Sequence, residues 1–193
     1  MKKMIDINKH SDLNSYYWFE EYFSPEEIEN IKKISEKYEK LEAVAGRENG
    51  KKAVGVRSSS IKWLEPSEET NWIYEKMCKA INTANKELWN FDWEGQTDEI
   101  QYTEYYDIKG GKYDWHIDVG NGTMSMRKIS AVVLLNDGYE GGKLQLKSIG
   151  ENLDMKKGNM FIFPSFISHR VTPVTKGTRK SLVMWAGGPQ PLR

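Results

Sequence analysis

Residues 111–118 read Gly111-Lys112-Tyr113-Asp114-Trp115-His116-Ile117-Asp118, and the pair His116 and Asp118 at i and i+2 decides how the rest is read. On a β-strand those two side chains point to one face, close enough to hold a single ion. The surroundings suit a strand. From residue 99 onward the chain falls into short β-rich runs at 100–106, 113–119, 129–135, 143–146, 159–163, 169–171 and 180–185, separated by turn formers such as Asp107-Ile108-Lys109-Gly110-Gly111 and Asn136-Asp137-Gly138. A strict alternation through 113–118 would turn Tyr113 and Trp115 away from the face of His116, as packing or rim residues.

Upstream the pattern is helical. Ser24-Pro25-Glu26-Glu27 combines an N-cap serine, a proline at the first helical position and a glutamate that closes a capping box. Ile28, Ile31, Ile34, Tyr38 and Leu41 then trace one apolar stripe. A second helix is expected from Ser67 to about Trp89, with Trp72, Ile73, Met77, Ala80, Ile81, Ala84 and Leu88 on its buried side. A polar, glycine-bearing loop at 45–52 leads into a strand near 54–63. Helices followed by evenly spaced short strands define an α+β chain, mainly β: a jelly roll with N-terminal helices packed on one face. We expect one domain over 1–193, with helical support at about 24–90 and a catalytic core at about 99–189.

Composition excludes several classes. Lys plus Arg and Asp plus Glu both number 28, so no basic field exists to grip nucleic acid or an anionic membrane. A content of 12% aromatic residues argues against disorder. Two N-terminal lysines precede no apolar run, and no apolar stretch approaches the ~20 residues of a membrane helix, so a cytoplasmic location is expected. The single cysteine, Cys78, has no intramolecular partner, and the histidines are only His10, His116 and His169.

His169 gives the His116/Asp118 pair its weight. A jelly roll can return a later strand beside the first, and two histidines with one carboxylate on one face make the facial triad of non-haem Fe(II) oxygenases. A structural zinc site would want four closed ligands, and Cys78 sits in a helix, the wrong place for the fourth. Arg179, at the start of the last strand, has the planar fork that holds a carboxylate in bidentate fashion.

From residue 99 to 189 the chain resembles the prolyl 4-hydroxylase-like 2-oxoglutarate/Fe(II) oxygenases, closest to their small bacterial and phage PKHD-type members. The resemblance rests on Gln101-Tyr102-Thr103-Glu104-Tyr105, the 111–118 stretch, Gly141-Gly142-Lys143-Leu144, Gly158-Asn159-Met160-Phe161-Ile162-Phe163-Pro164, His169-Arg170-Val171-Thr172-Pro173-Val174 and Gly177-Thr178-Arg179 through Trp185. It implies a cupin-like double-stranded β-helix with His116, Asp118 and His169 as ligands of Fe(II). Arg179 would then hold the distal carboxylate of 2-oxoglutarate. Tyr105 matches the family tyrosine that meets this co-substrate, with Tyr106 beside it as the alternative. Trp185 would line the substrate side, and Thr172 and Thr178 would lie behind the ligands. The loops 46–57 and 120–127, ending at Arg57 and Arg127, are the expected substrate clamps. Lys143 departs from the family's usual Glu, and strand 132–135 lacks a tyrosine that some members carry.

The activity so implied is hydroxylation, by O2, of a prolyl residue in a peptide or protein. 2-Oxoglutarate becomes succinate and CO2, with ascorbate as a supporting reductant. The alternatives are an oxygenase of another residue or a small molecule, and a cupin-like module that binds metal or 2-oxoglutarate without turnover.

Overall fold

The computed structural model describes residues 16–43, 47–48, 51–52, 55–149 and 152–189. His10 and part of the 46–57 loop therefore lie outside the described residues. Thirteen strands carry the architecture: Tyr17–Phe19 (β1), Leu41–Glu42 (β2), Arg57–Ser58 (β3), Ser60–Leu64 (β4), Gly95–Gln96 (β5), Ile100–Tyr106 (β6), Lys112–His116 (β7), Arg127–Leu134 (β8), Leu144–Leu146 (β9), Asn152–Leu153 (β10), Met160–Pro164 (β11), His169–Val171 (β12) and Thr178–Gly187 (β13). The larger sheet runs β1-β11-β8-β13-β6-β4-β2, with β5 paired to the far end of β13. The smaller runs β10-β9-β12-β7-β3, and neighbours in both are antiparallel.

Alternation sorts the larger sheet into two faces. Ile100, Tyr102, Ile129, Ala131, Val133, Leu182, Met184 and Ala186 point one way and pack against the helices. Tyr105, Val132, Phe161 and Phe163 point the other way, against Leu144, Leu146 and Val171 of the smaller sheet. Gln101, Arg179, Ser181 and Trp185 occupy that same inner face and line the cavity between the sheets, and Ser130 bonds Asp118. The jelly roll expected from the strand spacing is thus observed.

Helix α1 spans Pro25–Ser35, and its capping box is formed: Glu27 N–H donates to Ser24 Oγ at 3.3 Å, and Ser24 N–H donates to Glu27 Oε2 at 2.8 Å. It stops before Tyr38, short of the apolar stripe, because Lys62 Nζ caps the Ser35 carbonyl at 2.7 Å and Leu41 is drawn into β2 to pair with Ile61. Helix α2 covers Asn71–Ala84 and continues as a π turn over Asn85–Trp89. Ser67 does not start it. The Thr70 hydroxyl, which accepts from Ser67 N–H and donates to the Glu65 carbonyl, holds residues 65–70 in a separate turn. The expected strand at 54–63 is two strands in two sheets, with Ser59 as the crossing point. Among the described residues no helix is long and apolar enough to cross a membrane.

Where β6 turns towards β7, Gly110 takes φ +56°, and a Cβ on Gly111 would lie 2.6 Å from the Tyr106 nitrogen. Glycine is required there for the backbone to fold back on itself. On the outer side of β6, Glu104 meets Lys40 at 2.7 Å and Lys180 at 3.3 Å, and accepts a short hydrogen bond from the Tyr106 hydroxyl. Burial alone would raise the Glu104 carboxyl, but the Lys40 and Tyr106 hydrogen bonds and the two lysine charges outweigh it and hold the group below its ordinary 4.5. The folded carboxylate thus binds its proton less readily than the unfolded one. Its stabilising contribution is complete above the unfolded value and is lost as pH falls through the folded one. Glu104→Gln is expected to cost about 2 kcal/mol at pH 7, with the gap to the parent narrowing below pH 4.5. Urea unfolding at the two pH values reads this directly.

Candidate metal centre and co-substrate pocket

His116 ends β7, Asp118 follows two residues beyond the strand, and His169 opens β12, directly opposite His116 in the ladder. The ligand atoms of these three residues lie within 4.8 Å of one another and could hold one metal ion. His116 Nε2 is 3.6 Å from Asp118 Oδ1, and His169 Nε2 is 3.5 Å from Asp118 Oδ2. Each imidazole turns its other nitrogen to a backbone carbonyl, His116 Nδ1 to Asp114 at 2.7 Å and His169 Nδ1 to Ile167 at 2.9 Å. A carbonyl only accepts, so Nδ1 carries the proton and Nε2 offers its lone pair to the shared centre.

The electrostatics agree. Burial, reinforced by the neighbouring His169, lowers His116 to about 4. Burial would raise the Asp118 carboxyl, but the two imidazoles and the Ser130 hydroxyl reverse that and keep it below its usual value. Near neutral pH the centre therefore presents a neutral His116 imidazole and an ionised carboxylate, the forms that bind a metal.

Asp118 is held from several sides. Ser130 Oγ donates to its Oδ2 at 2.7 Å and lies 2.9 Å from Ser165 Oγ. Asp118 N–H donates to the Ser165 carbonyl at 2.9 Å, and Arg127 Nη1 donates to the Asp118 carbonyl at 3.3 Å. The Trp185 indole N–H lies near enough to favour the ionised carboxylate without making a hydrogen bond of normal geometry. Ser130 was not singled out from the sequence, yet it is legible there as the one hydroxyl on the inner face of the apolar run Ile129-Ser130-Ala131-Val132-Val133. Ser130→Ala is expected to weaken Co(II) affinity about 10- to 100-fold while leaving the fold intact. Anaerobic titration of the Co(II) absorption bands measures it.

Tyr113 corrects the expectation from strict alternation. Between the His169↔His116 and Val171↔Tyr113 pairs the register shifts, with one extra residue on β7. This bulge turns Tyr113 onto the face of His116, where the rings stack at 3.4 Å with an interplanar angle of 11°. Arg57 covers the other side of Tyr113 at 4.6 Å. Buried in this column, the Tyr113 hydroxyl is pushed up to about 12, with Arg57 opposing the rise. Trp115 does point outward as expected, beneath the Arg170 guanidinium.

The triad opens into a cavity of about 270 Å³ that Arg179, Tyr105, Arg57 and Trp185 also line. Arg179 is 2% exposed. Its Nη1 donates to Ser181 Oγ at 2.9 Å, its Nε has no partner, and among the described residues it forms no ion pair. A buried cation left so is costly unless an anion joins it, which is the fit expected of a dicarboxylate bridging metal and guanidinium. Tyr105, its cross-strand partner, sets its ring 5.6 Å from the guanidinium. Tyr106 belongs instead to the Glu104 network on the outer face.

Arg127 reaches the cavity, but its guanidinium is already engaged: Nε donates to Asp98 at 2.8 Å, and the group stacks on Trp185 at 3.9 Å. The 120–127 segment that precedes it is a 3-10 turn over Gly122–Met126. Of the two threonines expected behind the ligands, Thr172 Oγ1 accepts from Lys143 N–H, and Thr178 carbonyl accepts from Asn136. Neither lines the cavity. Lys143 is exposed.

Residues 100–187 match the model of the 2OG-Fe(II) oxygenase superfamily. A PKHD-type hydroxylase of Synechococcus sp. (strain CC9311) is 38% identical over 81 residues, covering 40% of this chain and 37% of that protein. One of Hyphomonas neptunium is 36% identical over 85 residues, covering 40% and 38%. The chain thus spans well under half the length of the curated relatives it matches. Among solved structures, a Pseudomonas putida prolyl-4-hydroxylase superposes with a TM-score of 0.73 at 18% identity, over 95% of this chain and 97% of that one. A Trichoplax adhaerens prolyl hydroxylase, in complex with a hypoxia inducible factor oxygen degradation domain peptide fragment, gives 0.70 at 17% identity, over 94% and 86%. Both share the double-stranded β-helix fold with this chain.

Proposed function

We infer, from the 2OG-Fe(II) oxygenase domain that residues 100–187 carry, that this chain is a 2-oxoglutarate- and Fe(II)-dependent dioxygenase that hydroxylates a prolyl residue of a peptide or protein, at C4. The observation that carries the reading is the buried, unpaired Arg179 facing the same cavity as the His116/Asp118/His169 triad. The prolyl assignment draws on the likeness to prolyl hydroxylase folds, and the peptide on the neighbour that binds one.

In this reading His116, Asp118 and His169 hold Fe(II), and Arg179 holds the distal carboxylate of 2-oxoglutarate with the Tyr105 ring beside it. Bound together, the metal and co-substrate supply with O2 the oxidising power to hydroxylate an unactivated C–H bond, as 2-oxoglutarate goes to succinate and CO2. The chain's own groups do the rest. Ser130 and the Asp118 N–H contact fix the carboxylate, the Asp114 and Ile167 carbonyls fix the imidazole tautomers, and Val132, Leu144 and Val183 keep water from the cavity wall. Trp185 and Trp63, with ring centres 6.3 Å apart, form the aromatic side against which the substrate ring rests.

The test is incubation of the full chain with Fe(II), ascorbate, 2-oxoglutarate and a proline-peptide library, read by mass spectrometry. One added oxygen on proline, matched by succinate, is expected. Succinate without modified proline transfers the reading to another residue or a small molecule, and no succinate with any substrate leaves a binding module.

A further inference from the structure

The catalytic cavity adjoins the first of two further concavities, which in turn adjoins the second. Trp63 lines both the catalytic cavity and a cleft of about 500 Å³, and Gln96, Thr97 and Thr123 line both that cleft and a second of about 260 Å³. The Gly122–Met126 turn borders all three in succession, with Met124 on the catalytic cavity, Thr123 on the first cleft and Met126 on the second. Strand β5 forms the floor. It pairs with β13 on one side and with no other strand among the described residues, so it offers an edge along which an extended polypeptide can lie.

The walls are charged in one sense. Asp98 and Glu99 line the first cleft and Glu94 the second, and no lysine, arginine or histidine lines either. Asp98 is engaged by Arg127, whereas neither Glu94 nor Glu99 forms an ion pair among the described residues. The catalytic cavity, by contrast, is lined by Arg57, Arg127 and Arg179. The clefts are thus acidic where the adjoining catalytic cavity is basic.

We propose that the two clefts bind the stretch of substrate polypeptide flanking the hydroxylated residue, and that Glu99 and Glu94 select a stretch carrying lysine or arginine. This rests on the reading of the chain as an oxygenase of polypeptides, and the test separates the two. The full chain, loaded with Fe(II) and 2-oxoglutarate under argon, is titrated with two fluorescein-labelled proline peptides, identical except for two lysines or two glutamates on one side of the proline. The lysine peptide is expected to bind at least about tenfold more tightly, with the advantage shrinking as salt is raised. In an E94Q/E99Q variant most of that advantage disappears, because two partly exposed charges together account for about a factor of ten. Co(II) affinity and 2-oxoglutarate affinity stay at parental values in the variant. Equal binding of the two peptides, or a preference unchanged in E94Q/E99Q, overturns the groove assignment. Hydroxylation is then scored aerobically with the same peptides. A Glu94- and Glu99-dependent preference without hydroxylated proline upholds the groove and overturns the prolyl reading, and hydroxylation without a charge preference does the reverse.

Discussion

Replacing His116 by alanine is expected to lower Fe(II)-dependent turnover of 2-oxoglutarate by more than about 100-fold, beyond the 10- to 100-fold that loss of a supporting contact produces. The imidazole is one of three groups whose ligand atoms lie within 4.8 Å, and no other His, Cys, Asp or Glu among the described residues stands ready to replace it. A second readout separates lost chemistry from lost fold. Added Co(II) raises the parent's Tm because it binds only the folded chain, and in His116→Ala that rise disappears while the metal-free Tm stays close to the parent's. Acid should act in the same place. The unfolded imidazole takes its proton near 6.5, whereas in the fold it resists protonation to about 4, so across that interval the unfolded chain binds more protons and stability falls as pH falls. Protons should compete for His116 Nε2, and weaken metal binding there, as pH approaches 4. A metal affinity unchanged in His116→Ala would sink the assignment of the centre.

The second large effect is at Arg179. Arg179→Met keeps much of the side-chain volume and removes the charge. We expect the KM for 2-oxoglutarate to rise about 100-fold, the range for losing one partner of a buried charge pair. Without ligand the sign reverses. The parent buries a guanidinium whose Nε has no partner, so the methionine variant should match or exceed it in Tm, since an apolar side chain of similar volume carries no desolvation cost. Saturating 2-oxoglutarate with Co(II) should then raise the parent's Tm further than Co(II) alone, and leave the variant where Co(II) left it. An unaltered KM in Arg179→Met would show that the co-substrate is held elsewhere.

Much of this could be read before the fold. Arg179, Ser181, Val183 and Trp185 share a face because they stand at even spacing on one uninterrupted strand, whereas the register that sets Tyr105 opposite Arg179 is visible only in the fold. The alternation rule fails where the chain breaks it. Tyr113 is three residues from His116, an odd spacing that alternation sends to the far side, and no residue type between them announces the extra position. Asp118 meets the imidazoles from beyond the strand end, held by its own hydrogen bonds to Ser165 and Ser130 and not by the pleat. The end of α1 was hidden for a different reason. Tyr38 and Leu41 keep the helical period, but the pairing of Leu41 with Ile61 across distant sequence outweighs local propensity. Arg127 carried a signal of charge in a loop, whereas its engagement with Asp98 depends on a contact that no local pattern encodes.

The bulge on β7 also sets how this segment tolerates length change. Removing one residue between Tyr113 and His116 would leave the ladder no less regular, and the strand could still pair with β12. Tyr113 and His116 would then stand two apart, and the pleat itself would keep both rings on the cavity face without a bulge. Straightening the bulge at the present length would instead send Tyr113 outside and bare one face of the His116 ring. In this stretch the residue count and the bulge together decide which ring meets His116.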